Sequence, residues 1–254
     1  MNSVFGTYRR RSPLAKALTW ALSLCLSFLN VSPLFALPSG ETVKHGDVTF
    51  QRDGDMLTIQ QASSSAIINY SSFDIASSES VVFQQPGSSA AALNRISGGP
   101  TEIAGLLSAN GRIYLINPNG ILFAGSAQVN VGGLVASAMN MSDSDFLSGN
   151  MKFSGGGGSV VNQGSISAGS FAYLVGGSVE NAGSISAGNV VLAAGQQSVV
   201  IDRAAGGEIR LVIDGLDEVV TDPDAAAFGG GSPESPAPSG EGAPANPEAS
   251  AAAG

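Results

Sequence analysis

The acidic side chains of this chain are the groups from which an active site would have to be built. Enzymes that cleave polysaccharides need at least two carboxylates close together for acid–base or metal chemistry. Asp53 and Asp55 flank a single glycine, which is typical of a hairpin turn. Asp143 and Asp145 stand in a stretch rich in Ser, Gly and Asn, which we interpret as a loop. Neither pair has the arrangement that a catalytic centre requires.

The other groups that could do chemistry are single and scattered. Glu180 is separated from all other acids, His45 is the only histidine and has no obvious partner, and Cys25 is the only cysteine. Cys25 precedes the region of regular structure, so that region can form neither a disulfide nor a thiolate metal site. We therefore predict a non-enzymatic protein without catalytic, metal or cofactor-binding residues. A β-helical polysaccharide-active enzyme is the alternative.

The composition favours strands and argues against nucleic-acid binding. The 254 residues include 34 glycines, only 12% are charged and 6% are aromatic, so the core must be assembled mainly from small aliphatic side chains. The formal net charge is −9, and the chain has no cluster of Lys and Arg that could displace counterions from phosphates. We expect no nucleic-acid partner.

An internal repeat predicts how the strands are arranged. Residues 158–169 and 177–188 agree at ten of twelve positions, and each match is separated by 19 residues. A fixed period near 20, with short apolar runs and no helical periodicity, indicates a solenoid. Three short strands with tight turns use about this many residues. The predicted fold class is all-β: a right-handed parallel β-helix with an N-terminal cap.

The period also predicts which residues lie above one another in successive coils. The expected stacks are Val160 on Val179, Asn162 on Asn181 and Ile166 on Ile185. Aliphatic stacks would fill the interior, and the asparagines would form a hydrogen-bonded ladder. The glycines of the repeat are expected to supply positive φ where the chain turns a corner.

Both ends of the chain differ from the middle. Residues 1–36 have basic residues, then an apolar run and then a small residue at Ala36, the three-part pattern of a cleaved signal peptide. Residues 214–254 contain eight acids and no base and are rich in Ala, Pro and Gly, which predicts a disordered tail. The β-helix domain is expected to span residues 37–213.

One turn in the middle of the chain has a clear local mechanism. Residues 112–116 and 121–123 are predicted strands, and Asn-Pro-Asn-Gly at 117–120 lies between them. Pro118 fixes φ at the second turn position, Asn117 can cap through its side chain, and Gly120 accepts a left-handed backbone.

This turn and its surroundings resemble the secretion domain of two-partner-secretion exoproteins of the filamentous haemagglutinin type. The resemblance rests on Asn-Pro-Asn-Gly-Ile at 117–121, followed by a Val-Asn-Val-Gly-Gly-Leu-Val-Ala-Ser strand at 129–137. Residues 67–75 and 93–96 also resemble family segments, although Tyr70 stands where a tryptophan is usual. The resemblance covers about residues 40–215.

The resemblance implies a function in export. Such domains cross the inner membrane, stay unfolded in the periplasm, and are recognised by the periplasmic modules of an outer-membrane β-barrel transporter. They then fold at the cell surface, where they are secreted or retained. The candidate recognition residues carried over are Asn117, Pro118, Asn119, Gly120 and Ile121. This turn either is recognised or only shapes the fold, and the two roles are compatible.

Other functions stay open at this point. An adhesin that binds a host or neighbouring-cell surface would use the long flat side of a β-helix, and the family analogy supports that role. An ordinary periplasmic structural protein would need no transporter. Dependence of secretion on a transporter separates these alternatives.

Overall fold

The structure, a computed structural model, describes residues 36–203 and 208–214. The predicted signal peptide (1–36) and the predicted disordered tail (214–254) lie outside the described residues, apart from Ala36 and Asp214. Within the described part of the chain, no helix has the length and apolar character needed to cross a membrane.

The described residues form strands almost throughout. In chain order the strands are β1 (Thr42–His45), β2 (Val48–Asp53), β3 (Met56–Gln61), β4 (Ser65–Tyr70), β5 (Ser80–Gln84), β6 (Ala91–Ile96), β7 (Thr101–Ile103), β8 (Leu106–Ala109), β9 (Arg112–Ile116), β10 (Ile121–Phe123), β11 (Gln128–Val131), β12 (Gly133–Ser137), β13 (Met151–Ser154), β14 (Ser159–Asn162), β15 (Ser165–Ala168), β16 (Ala172–Gly176), β17 (Ser178–Asn181), β18 (Ser184–Ala187), β19 (Val190–Ala194), β20 (Ser198–Arg203) and β21 (Ile209–Ile213). A single described helix, α1 (Asp143–Ser148), precedes β13.

The strands stack as a parallel β-helix of about six turns, as the sequence predicts. Sheet 1 contains β1, β4, β6, β9, β12, β16 and β19; sheet 2 contains β2, β3, β5, β8, β11, β15 and β18; sheet 3 contains β7, β10, β14 and β17. From β7 onward each turn contributes one strand to each sheet. The predicted coil of three short strands is confirmed.

The stacking register also matches the prediction. Val160 pairs with Val179 and Asn162 with Asn181 in sheet 3, and Ile166 pairs with Ile185 in sheet 2. The Asn162 amide Nδ2 donates to Asn181 Oδ1 at 2.7 Å. The asparagine ladder therefore exists, and Asn162 is fully buried within it.

The N-terminal end of the β-helix is closed by antiparallel strands. β1 runs antiparallel to β4, and β2 runs antiparallel to β3 through the predicted hairpin turn at Asp53–Asp55. Gly54 in this turn has φ 53°, which a glycine adopts without steric cost. These pairings form the N-terminal cap that the sequence predicted.

The parallel coils end at β19, so the prediction that the β-helix continues to residue 213 is wrong for its last part. β20 pairs antiparallel with β13 and with β21, and these three strands form sheet 4. Sheet 4 and α1 cover the outer face of sheet 1. The periodic sequence signal stops after residue 195, and pairing between distant segments has no such signal.

Two local expectations are corrected. Asp143 and Asp145 lie on helix α1 rather than in a loop, because the Ser142 side chain caps the first turn by accepting from the Asp145 amide. The segment 129–137 forms two strands on two sheets rather than one strand. The chain turns between them at Gly132, where a Cβ would lie 2.7 Å from the Gly111 carbonyl oxygen.

The glycines of the repeat do not supply positive φ. The described glycines with positive φ all lie outside residues 158–195. Most of the repeat glycines are needed for a different reason, because successive coils approach so closely there that a side chain has no room. A Cβ on Gly183, for example, would clash with the carbonyl oxygen of Gly164 in the coil before.

Candidate functional site

The Asn-Pro-Asn-Gly turn connects sheet 1 to sheet 3. It begins directly after β9 and ends directly before β10, so both predicted strands, 112–116 and 121–123, are confirmed at the predicted bounds. The Gly120 amide donates to the Asn117 carbonyl at 3.0 Å, and the Asn119 amide donates to Asn117 Oδ1 at 3.0 Å. Gly120 has φ 112°. The capping by Asn117 and the positive φ of Gly120 follow the predicted mechanism.

Asn117 is an interior residue that joins two coils. Its exposed fraction is 0%, and its Nδ2 donates to the Gly99 carbonyl and to Thr101 Oγ1, both at 2.9 Å. Gly99 and Thr101 lie one coil earlier, since Thr101 on β7 pairs with Ile121 on β10. Both amide protons and the amide oxygen of Asn117 are therefore hydrogen-bonded within the fold. Removing the side chain would leave the buried Thr101 hydroxyl without this partner.

The other four residues of the motif differ in accessibility. Asn119 is exposed and donates from Nδ2 to the Gly98 carbonyl, and Pro118 is half-buried. Gly120 is buried against the backbone of Ser159 in the next coil. Ile121 is buried in the interior of the β-helix. The folded domain therefore leaves Pro118 and Asn119 accessible to solvent, whereas Asn117 and Ile121 are accessible only before this coil forms.

Sequence reasoning missed the partners of Asn117. Gly99 and Thr101 belong to a coil whose sequence does not match the 19-residue repeat, so no periodic comparison aligns them with later coils. The available signal was Thr101 itself, a polar residue at the start of a short strand 20 positions before Ile121.

The structure places the acidic residues considered for catalysis on three separate elements: the β2–β3 turn, helix α1 and β17. Asp143 forms an ion pair with Arg95, with 2.8 Å between Oδ1 and Nη1. A hydrogen bond from the Ser142 hydroxyl holds the pKa of the neighbouring Asp145 below its usual value. Glu180 lies exposed on β17. Among the residues that the structure describes, no three His, Cys, Asp or Glu side chains lie close enough to hold a metal ion.

His45 has one neighbour that the sequence did not indicate. It lies on β1, and its Nε2 is 3.4 Å from the Ser65 hydroxyl on β4. The side chain is exposed, and the contact is at the margin of hydrogen-bond geometry. His45 and Ser65 thus form no arrangement with an oriented base and nucleophile.

Comparison with known families gives a match over most of the chain. A family model described as TPS secretion domain matches residues 35–226. The crystal structure of the HMW1 secretion domain from Haemophilus influenzae superimposes with a TM-score of 0.63 and 31% identity, covering 73% of this chain and 50% of that one. A filamentous hemagglutinin secretion domain aligns with a TM-score of 0.48 and 17% identity, over 68% of this chain and 66% of that one.

One curated relative is a much longer protein. The heme/hemopexin-binding protein of Haemophilus influenzae is 39% identical over 106 residues, which cover 41% of this chain and 12% of that protein. The chain thus spans about an eighth of the length of this relative, and half of the HMW1 domain structure.

Proposed function

Because the chain belongs to the TPS secretion domain family, we propose that residues 37–213 act as an export signal read by the periplasmic modules of an outer-membrane transporter. Domains of this family belong to secreted exoproteins that such a transporter recognises. The match to the family over residues 35–226 is the observation that supports this proposal. The protein then passes through the periplasm of a Gram-negative-type cell to the cell surface or the medium, and it acts without catalysis.

Recognition occurs while the chain is still unfolded. Asn117 and Ile121 of the motif are buried in the finished coil, so a transporter can contact them only before β9 and β10 have stacked on their neighbours. An extended segment has free backbone donors and acceptors, and it can add as a strand to a sheet in a periplasmic module. Folding of the coil then withdraws Asn117 from the transporter and releases the segment.

Folding at the cell surface makes export directional. Each coil pairs with the preceding coil through parallel ladders, so stability accumulates from one neighbour to the next as the chain emerges. Each coil that stacks also buries apolar side chains, and this burial stabilises the folded coil by about 25 cal/mol per Å² of apolar surface removed from water. A coil that has stacked outside the membrane is not free to slide back.

Adhesion to a host or neighbouring cell is a second candidate role. The outer side of sheet 2 presents rows of exposed serines in register, Ser165 over Ser184 and Ser167 over Ser186. Rows of hydroxyl groups on a flat face can hydrogen-bond polar surface molecules. Binding of the purified, labelled protein to intact cells tests this role independently of secretion, and no saturable binding would contradict it.

Secretion assays with matched variants test the main proposal. We expect the chain to reach the medium or the cell surface only when a cognate transporter is co-expressed. Asn119→Ala removes an exposed side chain and should leave the purified fold intact, yet reduce secretion at least severalfold if the turn is recognised. Asn150→Ala, at an exposed position after helix α1 and outside both signature segments, is the matched control and should be secreted normally.

Two outcomes would contradict parts of the proposal. Normal secretion of Asn119→Ala together with poor folding of Asn117→Ala would restrict the turn to a structural role. Retention of the unmodified chain in the periplasm, with and without transporter, would overturn the secretion function itself.

A further inference from the structure

The first described residues form a strap, residues 36–41, along the N-terminal end of the β-helix. The Ser39 amide donates to the Ser72 carbonyl at 3.0 Å, and the Ser71 amide donates to the Ser39 carbonyl at 2.9 Å. The Arg52 guanidinium donates to the Pro38 carbonyl at 2.7 Å. Leu37 packs against the interior hydrophobic core. The strap therefore closes the open end of the first coil.

A buried carboxylate holds the beginning of this strap. Glu79 has an exposed fraction of only 2%. Its Oε1 accepts from the Ala36 amide and its Oε2 from the Ala76 amide, both at 2.8 Å. Within residues 36–203 and 208–214, no Lys, Arg or His side chain forms an ion pair with Glu79.

A buried carboxylate without a cation needs an explanation. Removing an ionised group from water is costly unless a counter-charge and hydrogen bonds compensate, and buried acids are therefore usually paired. Two neutral backbone amides satisfy the hydrogen-bonding capacity of Glu79 only in part. Glu79 therefore retains unused acceptor capacity, and no side chain of the described residues forms an ion pair with it.

The position of Ala36 indicates a cation for this carboxylate. Ala36 is the small residue at which the predicted signal peptide ends. Hydrolysis of the Ala36–Leu37 peptide bond by a signal peptidase consumes one water, leaves a carboxylate on Ala36 of the released leader, and creates an ammonium on Leu37. Consecutive Cα atoms are about 3.8 Å apart. The new ammonium therefore forms within one residue of the amide that Glu79 binds.

We propose that Glu79 is the receptor for the α-ammonium of the processed chain. An α-amino group has a pKa of about 7.7–8.0, so it is protonated at neutral pH and supplies three donors and the missing positive charge. Removal of the leader replaces the lost Ala36 hydrogen bond with an ion pair at the same carboxylate. Leader removal and tight closure of the N-terminal cap are thereby coupled. The proposal depends on the signal-peptide prediction but not on recognition by a transporter.

The mature N-terminus is established first. The intact mass of the chain recovered after export across the inner membrane should correspond to residues 37–254. A mature chain that begins at another residue would overturn the proposal, whether or not the protein is subsequently secreted.

The thermal stability of two N-terminal forms then tests the ion pair. The chain beginning at Leu37 is prepared with a free amine and with an acetylated amine. The free amine should raise the Tm by roughly 2–4 °C. Glu79→Gln should abolish this difference, whereas Glu41→Gln, in the strap but ion-paired with Arg52, should preserve it. Equal Tm values for the two forms of the unmodified chain would overturn the proposal.

Chemical reactivity gives a second measurement if Glu79→Gln does not fold. An amine-reactive ester at pH 7 should acylate the Leu37 amine about tenfold more slowly in the folded protein than in urea, as expected if the ion pair raises the pKa of the amine by about one unit. Equal rates in the two states, after correction for the effect of urea on a free model amine, would show that the amine is solvated and the proposal wrong.

Discussion

The interior of the β-helix and the cluster outside sheet 1 are both hydrophobic cores, but they are assembled from different parts of the chain. The interior core receives side chains from every coil, each packed on its neighbour about 20 residues away. The exterior cluster joins sheet 1 to sheet 4 and α1, and it includes Phe146, Phe153, Val199 and Ile201. The interior can therefore grow coil by coil, whereas the exterior needs β13, β20 and β21 together. Local contacts form faster than contacts between distant segments. The exterior cluster should thus complete last during folding.

Truncation of an interior side chain should have the largest effect. Phe123 on β10 is fully buried within the β-helix, between β7 and β14. Phe123→Ala should reduce the free energy of unfolding by about 3–5 kcal/mol, because it removes a large side chain and leaves a cavity. Urea denaturation followed by far-UV circular dichroism measures this loss. The expected loss is a large share of the total, since domains are stable by only about 5–15 kcal/mol. A loss below about 1 kcal/mol would show that the interior repacks freely.

The same truncation in the exterior cluster should act locally. Phe153 on β13 is also fully buried, so Phe153→Ala removes a comparable apolar area. We expect a loss of about 3 kcal/mol, confined to the antiparallel sheet. Hydrogen exchange should increase in β13, β20 and β21 and stay unchanged in β6, β9 and β12. Equal deprotection of both groups of strands would show that the two cores unfold as one unit.

This difference also explains what could be predicted from the sequence. The 19-residue period predicts the interior stacks, such as Ile166 on Ile185, because identical coils place identical residues above one another. No period relates β13 to β20, and antiparallel pairing between segments some 45 residues apart leaves no pattern in a single sequence. Helix α1 has only a short signal, the Ser142 cap with Asp145 three residues later.

The candidate site was predicted in outline but not in its contacts. The turn residues Asn117 and Gly120 have local preferences that predict their backbone conformation, and the structure agrees. The burial of Asn117 depends on Thr101 in another coil, and local preference says nothing about that contact. Sequence reasoning could therefore place the turn without deciding which of its side chains a partner can contact.

Two glycine substitutions test whether the close approach of successive coils excludes a side chain. Gly183→Ala places a methyl group against the Gly164 carbonyl oxygen, so the coils must separate, and the free energy of unfolding should fall by about 2 kcal/mol. Gly169→Ala is the control, because its Cβ would have its nearest contact at an ordinary 3.4 Å. Urea midpoints of the two variants give the comparison. Similar midpoints would show that the coils accommodate the added methyl group without separating, and close approach would then not explain Gly183.

Each core contains a buried tyrosine, so the loss of stability at alkaline pH can be compared between the two cores. This prediction has the smallest expected effect. Burial raises the pKa of Tyr114, in the exterior cluster, from 10.0 to about 12, and burial also raises the pKa of Tyr70 in the interior. A folded-state pKa above the unfolded value contributes stability that is complete below pH 10 and is lost as the pH rises towards 12. Tyr114→Phe should therefore lessen the stability lost between pH 9 and 11 by about 1 kcal/mol.

Absorbance at 295 nm follows the ionisation of the tyrosines. Urea unfolding at pH 9 and at pH 11 measures the change in stability that accompanies it. Tyr70→Phe should lessen the alkaline loss as well, and it removes a buried hydroxyl that has no hydrogen-bond partner among the described residues. The two variants should differ in the region that exchanges first at pH 11: the exterior strands should stay protected longer in Tyr114→Phe, and the coil strands in Tyr70→Phe. Identical exchange patterns would mean that the tyrosines ionise only after global unfolding. The exterior cluster would then not be an independent unit, and the order of folding inferred from it would be wrong.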